Sequence, residues 1–333
     1  MDIFLLTLQK GHGMNIHLLI RRLRMKQGVK QSEIAKDIMD TSAYSRFEKG
    51  ERALTSTELE LIMNRLNAHI TDLNDIENME NAVAAKIREV TQKSIDNELN
   101  LDELKDLYEI AKLEKDKSLR SYRSYLYVKH QFKNIAEFIE PITSEEIDTL
   151  FSEIQSKNYL TNYYLQLIAD FTPTFKITHL EFFLETLKNY EVESISSIDC
   201  QYLHVLPSAI SNITDSFIDH AVLDPNNIDF DLLAKAEEAC NKLGEILDSR
   251  PIFNFSLLFT LFRIRIEYYK ALTPADKEVA LQKAKNYKKE VEFIVNMTDY
   301  HRNKIKTTAD IALYSLNNLI TFGTPGEVAY FID

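Results

Sequence analysis

From residue 76 to the end of the chain, apolar side chains recur every three or four residues, and no long stretch alternates with the two-residue period of a strand. Gly and Pro, the residues that interrupt helices, number only seven each in 333 residues, and Trp is absent. This pattern confines the chain to an all-α fold. It predicts helices over Glu80–Lys93, Leu101–Leu113, Lys117–Phe138, Ser144–Ser156, Tyr159–Asp170, Ile177–Tyr190, Ile198–Asp219, Asp229–Asp248, Phe253–Ala271, Pro274–Met297 and Asp299–Thr321. Breakers stand between them at Pro141, Pro173, Asp224-Pro225-Asn226-Asn227, Arg250-Pro251 and Thr273-Pro274. Paired helices joined by short connections suggest a solenoid of helical hairpins, although no clean repeat period is visible.

A different texture precedes this region. Gln31–Gly50 reads as two short helices at a sharp angle, the second rich in small polar side chains. Ile34, Ala35 and Ile38 fall at helical spacing and face inward, and Ala35 is small enough to let a second helix cross closely. Thr41 or Ser42 is placed to cap that second helix, whose outward residues are then Ser42, Ala43, Ser45, Arg46 and Lys49. Tyr44 and Phe47, three apart, anchor it inward. A slim, polar, partly basic helix is what entry into the roughly 12 Å wide major groove requires.

These residues resemble the helix-turn-helix of the repressor and Cro type. Arg24, Gln31, Ala35, Ser45, Arg46, Glu48 and Gly50 fill the roles of that pattern. Met39-Asp40 replaces the usual turn Gly, and the path from Ala35 to Ser45 is one residue shorter than usual. The shortened turn, followed by Thr-Ser-x-x-Ser-Arg-Phe-Glu-x-Gly-Glu, resembles the Rgg-like pheromone-responsive regulators, in the wider group of NprR, PlcR and PrgX. Tyr163-Tyr164-Leu-Gln-Leu and the following Leu180–Leu187 extend the resemblance weakly. It implies a helix-turn-helix domain over residues 14–72 and a tetratricopeptide-like helical-repeat domain over 73–333 that dimerises and binds a short hydrophobic signalling peptide. Chains of that family begin near Met14, so residues 1–13 are read as a leader or a cloning remnant. The resemblance also implies a buried ion pair between Arg24 and Glu48. For DNA it gives Gln31, Arg22 and Arg52 as phosphate contacts, Ser42, Ala43 and Ser45 at base edges, and Arg46 and Lys49 reaching guanine or backbone.

Charge divides the chain in the same place. Residues 14–70 carry a net +3 and residues 71–333 a net −15, within a total of −12. Phosphate attracts the first segment and repels the second. The acidic balance of the second is also ordinary solubility. A length of 333 residues exceeds one typical domain, so two are expected. The two cysteines, Cys200 and Cys240, have neither disulfide-framework nor metal-ligand spacing and read as reduced thiols of a cytoplasmic protein. No apolar run reaches the roughly 18 residues of a membrane span, and the opening Met1-Asp-Ile-Phe lacks the charge of a secretory signal.

A peptide site has weaker signals. Phe255, Leu258, Phe259, Phe262, Ile266 and Tyr269 form an apolar stripe bordered by Arg263 and Arg265. Either guanidinium could fork a peptide carboxylate, or it could pair with Glu267 or a neighbouring helix while its stem covers apolar surface. Arg123 and Tyr163 are further candidates. No Gly-rich phosphate loop, HExxH, CxxC or GxSxG occurs, and the eight His residues are dispersed, so neither an enzyme nor a cofactor or metal site is expected. The residues thus point to a regulator that binds an operator as a homodimer under control of a peptide. A regulator controlled by a protein partner, and a helical-repeat interaction inhibitor with a secondary DNA-binding domain, are the alternatives.

Overall fold

The computed structural model describes residues 16–68, 82–190, 202–224, 226–297 and 304–324. Among these residues the secondary structure is helical, without strands. The leader at 1–13, the boundary at 72, Cys200, Pro225 and the helix starts expected at Glu80, Ile198 and Asp299 lie outside the described residues. The chain divides into two compact units, residues 1–141 and 142–333.

In the first unit, four helices form the helix-turn-helix core: α1 (Ile16–Lys26), α2 (Gln31–Ala35), α3 (Thr41–Glu48) and α4 (Ser56–Arg65). Leu19 and Ile20 of α1, Ile34 and Ala35 of α2, Tyr44 and Phe47 of α3, and Ile62 and Met63 of α4 converge in one buried cluster, with Leu54 and Leu66 closing it. The tilted rings of Tyr44 and Phe47 lie 5.8 Å apart at its centre. α4 starts in a capping box, in which the Glu58 N–H donates to the Thr55 hydroxyl at 3.2 Å and the Thr55 N–H to the Glu58 carboxylate at 2.9 Å. α5 (Ala82–Ile95), α6 (Leu101–Glu114) and α7 (Leu119–Phe132) complete the described part of this unit, each packing on the other two. α7 is shorter than the periodicity of 117–138 suggests. Ser118 caps its start, accepting from the Ser121 N–H at 3.1 Å, and turns carry the chain beyond Lys133 while burying Ala136 and Ile139.

The second unit contains α8 (Ser144–Gln155), α9 (Asn162–Phe171), α10 (Ile177–Lys188), α11 (Tyr202–Ala221), α12 (Phe230–Ser249), α13 (Phe253–Lys270), α14 (Pro274–Met297) and α15 (Lys304–Phe322). From α11 on, each helix packs against the next, and α11, α13 and α15 also pack successively against one another. That is the layering of stacked helical hairpins. α13 lies in the middle, so its buried face is broader than the expected stripe: Leu257, Leu261, Ile264 and Arg265 are buried along with Phe255, Phe262, Ile266 and Tyr269. Leu258 and Phe259 are only half-buried.

Candidate nucleic-acid interface

The second helix of the motif, α3, is capped not by Thr41 or Ser42 but by Asp40. Its carboxylate accepts from the Ala43 N–H at 2.8 Å and from the Ser42 hydroxyl. Gly50 follows the end of the helix, and its φ of 76° lies in the left-handed region that favours a residue without Cβ. There the Gly50 N–H donates to the Phe47 carbonyl at 2.8 Å and the Glu51 N–H to the Arg46 carbonyl at 2.9 Å, the paired bonds of a Schellman motif. The His17 ring stands 3.1 Å from where a Cβ would sit, a second reason for Gly at this position.

Beneath α3 lies the ion pair implied by the motif. Arg24 Nε donates to Glu48 at 2.6 Å and Nη2 to its other oxygen at 3.0 Å, while Nη1 donates to the Val29 carbonyl at 2.6 Å. Gln31 Nε2 adds a third donor to Glu48, at 2.6 Å. Burial works to raise the Glu48 carboxyl, but the bonds from Arg24 and Gln31 outweigh it and hold it below the usual carboxylate range. The pair ties α1 and the start of α2 to the last turn of α3. With this end and Asp40 both fixed, the outer face of α3 is presented rigidly.

On that face Thr41, Ser42, Arg46 and Lys49 are exposed and Ser45 is half-buried. One expected contact needs correction, and two more side chains already have partners within the domain. Ala43 is only 5% exposed, so its methyl faces the core and not a base. A helix starting at Thr41 places Ala43 one turn before Phe47, on the inward face, and the Tyr44–Phe47 spacing already implied that register. The Gln31 amide donates inward to Glu48, which leaves the backbone N–H groups at the start of α2 as its expected route to phosphate. Arg52 is engaged as well: Nη2 donates to Glu58 at 2.6 Å and Nη1 meets the Met39 sulfur at 3.0 Å. Arg22 is exposed on α1 and engages a neighbour. The motif also did not reveal that Thr41 shares the outer face, although its position four residues before Ser45 carries that information.

The expected peptide residues separate just as clearly. Arg265 is fully buried and binds two carboxylates of α11, Asp215 and Asp219, the latter at 2.6 Å. Burial opposes its charge, but the carboxylates prevail and keep it protonated above the ordinary arginine range. It is a structural cross-tie and not a fork for a ligand. Arg263 is exposed, its guanidinium 5.9 Å from the centre of the Phe259 ring. Arg123 and Tyr163 are half-buried, and both engage neighbours. Cys240 is a buried free thiol, pushed up to about 12 chiefly by burial, and so unreactive. Among the described residues no group of acidic, His or Cys side chains could hold a metal ion, and no helix is long and apolar enough to cross a membrane.

The helix-turn-helix family model matches residues 20–73, which contain all of α2, α3 and α4. No curated protein matches the chain in sequence. Among solved structures, the chain is similar to the SHP pheromone receptor Rgg2 of Streptococcus dysgalactiae, with a TM-score of 0.54 and 17% identity over 84% of this chain and 96% of that one. A transcriptional regulator from Listeria monocytogenes matches with a TM-score of 0.54 and 16% identity over 91% and 97%. The PrgX/cCF10 complex matches with a TM-score of 0.50 and 13% identity over 90% and 98%. The chain therefore carries a helix-turn-helix domain within an Rgg-like fold.

Proposed function

We propose that this protein is a cytoplasmic transcription regulator that binds an operator as a homodimer and whose helical-repeat domain, within residues 73–333, binds a short signalling peptide to control that binding. The observation that carries the reading is the outer face of α3. Polar and basic side chains stand on a helix locked at one end by Asp40 and at the other by the Arg24–Glu48–Gln31 network. The net +3 of residues 14–70 gives this face attraction for phosphate, while the net −15 of residues 71–333 keeps the remaining surface off the duplex. In this reading Ser42 and Ser45 meet base edges, and Arg46 and Lys49 reach guanine or phosphate. Thr41 joins them.

The test is Arg46→Ala. Arg46 is exposed and outside the core, so its removal leaves the melting temperature nearly unchanged. Affinity for an operator selected by the wild-type protein from random-sequence duplexes falls by about ten- to a hundredfold if Arg46 reads a base, and the salt slope flattens by about one if it holds a phosphate. Unchanged affinity and slope would remove α3 from the interface.

Peptide control is supported by the likeness to the SHP pheromone receptor Rgg2. With Arg265 committed to Asp215 and Asp219, Arg263 becomes the leading cation for a peptide carboxylate, since it is exposed beside the Phe259 ring. Calorimetric titration with short hydrophobic peptides from conditioned medium is expected to give affinity that falls about ten- to a hundredfold in Arg263→Lys, which keeps charge but loses the fork. Equal affinity in both proteins would place the carboxylate elsewhere.

A further inference from the structure

We infer that Arg65 is a positioning residue for DNA recognition: by capping the end of α2 it sets the angle at which α3 meets a duplex. This rests on the DNA-binding reading above. α2 has only five residues, too few to hold a helix without outside support. It runs into a turn that lacks the Gly found in the general motif, and the left-handed position is taken by Asp37, at φ 61°. Side chains tied to α4 brace this turn. Arg65, the last residue of α4, donates from Nη1 to the carbonyls of Ile34 at 3.1 Å and Glu33 at 3.3 Å, and also to that of Lys36. These are the carbonyls that the end of α2 leaves without helical partners, and a cation there also meets the negative end of the helix dipole. At the other end of α4, Glu58 holds Arg52, whose second nitrogen meets Met39. The segment from Lys36 to Met39 is thus bracketed at both ends of one helix, and Asp40, the cap of α3, follows at once.

Arg65 makes these bonds from an exposed position outside the buried cluster, so the core does not need it to close. What it supplies is the geometry of the turn. A wrong angle at α3 costs contacts with base edges, which need accurate placement, far more than attraction to phosphate, which does not.

The experiment compares two duplexes at one salt concentration: one selected by the wild-type protein from a random-sequence library, and a scrambled duplex of the same length and composition. Arg65→Ala is expected to lose about ten- to a hundredfold on the selected duplex, the equivalent of one or two misplaced base contacts. Binding to the scrambled duplex and the melting temperature stay close to wild type. Arg65→Lys keeps the charge but offers an ammonium in place of the fork, so its loss is intermediate and again confined to the selected duplex. This second variant decides the matter if the alanine protein does not fold. Equal losses on both duplexes would make Arg65 a phosphate contact and overturn the proposal, as would a lysine variant identical to wild type. Failure of the wild-type protein to select any duplex would instead sink the DNA-binding reading on which it rests.

Discussion

Arg265→Met lowers the stability of the second unit by about 3–5 kcal/mol, because it leaves the carboxylates of Asp215 and Asp219 without the cation that binds both. Arg265 is 1% exposed and Asp215 6%, so little water is available to take over. Asp219→Asn costs less, since the Asp219 side chain is 28% exposed and solvent screens its charge. Replacing Arg265 and both aspartates together with apolar residues of similar volume is expected to recover most of the loss, as a buried ion cluster is costly to break but not to omit. Urea melts of the full chain, with a probe in the second unit, measure all three effects. A methionine variant within about 1 kcal/mol of wild type would mean that solvent or other groups satisfy the aspartates, and the cross-tie would lose its structural role.

Glu48→Gln, in the first unit, carries the second large effect and a pH signature. It keeps the shape of the side chain but removes the charge that receives Arg24 and Gln31, at a cost of about 3 kcal/mol near neutral pH. The folded-state pKa of Glu48 lies below its ordinary value, so the unfolded chain takes up the proton first as pH falls. The stabilisation is therefore fully present above the ordinary glutamate value of about 4.3 and is lost as pH drops through the lower folded value. The difference in stability between wild type and Glu48→Gln should be flat from neutrality to about pH 5 and shrink in more acidic solution. A difference that instead grew on acidification would show that burial, and not the bonds from Arg24 and Gln31, dominates at this carboxyl.

Local rules carried much of this molecule. Pro274 starts its helix where a proline is best placed, at the first turn, and Ser144, Ile177 and Phe253 start their helices as read from the chain. Arg24 and Glu48 were legible because the motif fixes their spacing, and Tyr44 and Phe47 because helix geometry puts residues three apart on one face. Where the chain alone was silent, a side chain had several possible partners and packing chose among them. Gln31 and Arg52 each had a polar surface available, yet each turned to a carboxylate brought close by folding.

The helical class, the position of the helix-turn-helix motif and the charge contrast between residues 14–70 and the rest are legible along the chain, because these depend on neighbours within a few turns or on composition alone. Tertiary structure decided that Arg265 is a buried cross-tie and Arg263 is not, although the two stand two residues apart. The partners of Arg265 lie 46 and 50 residues earlier in the chain, on a helix that only the stacking of α11 against α13 brings within reach. It likewise decided that Asp37 could take the left-handed turn, since Arg65 braces that turn from 29 to 32 residues away.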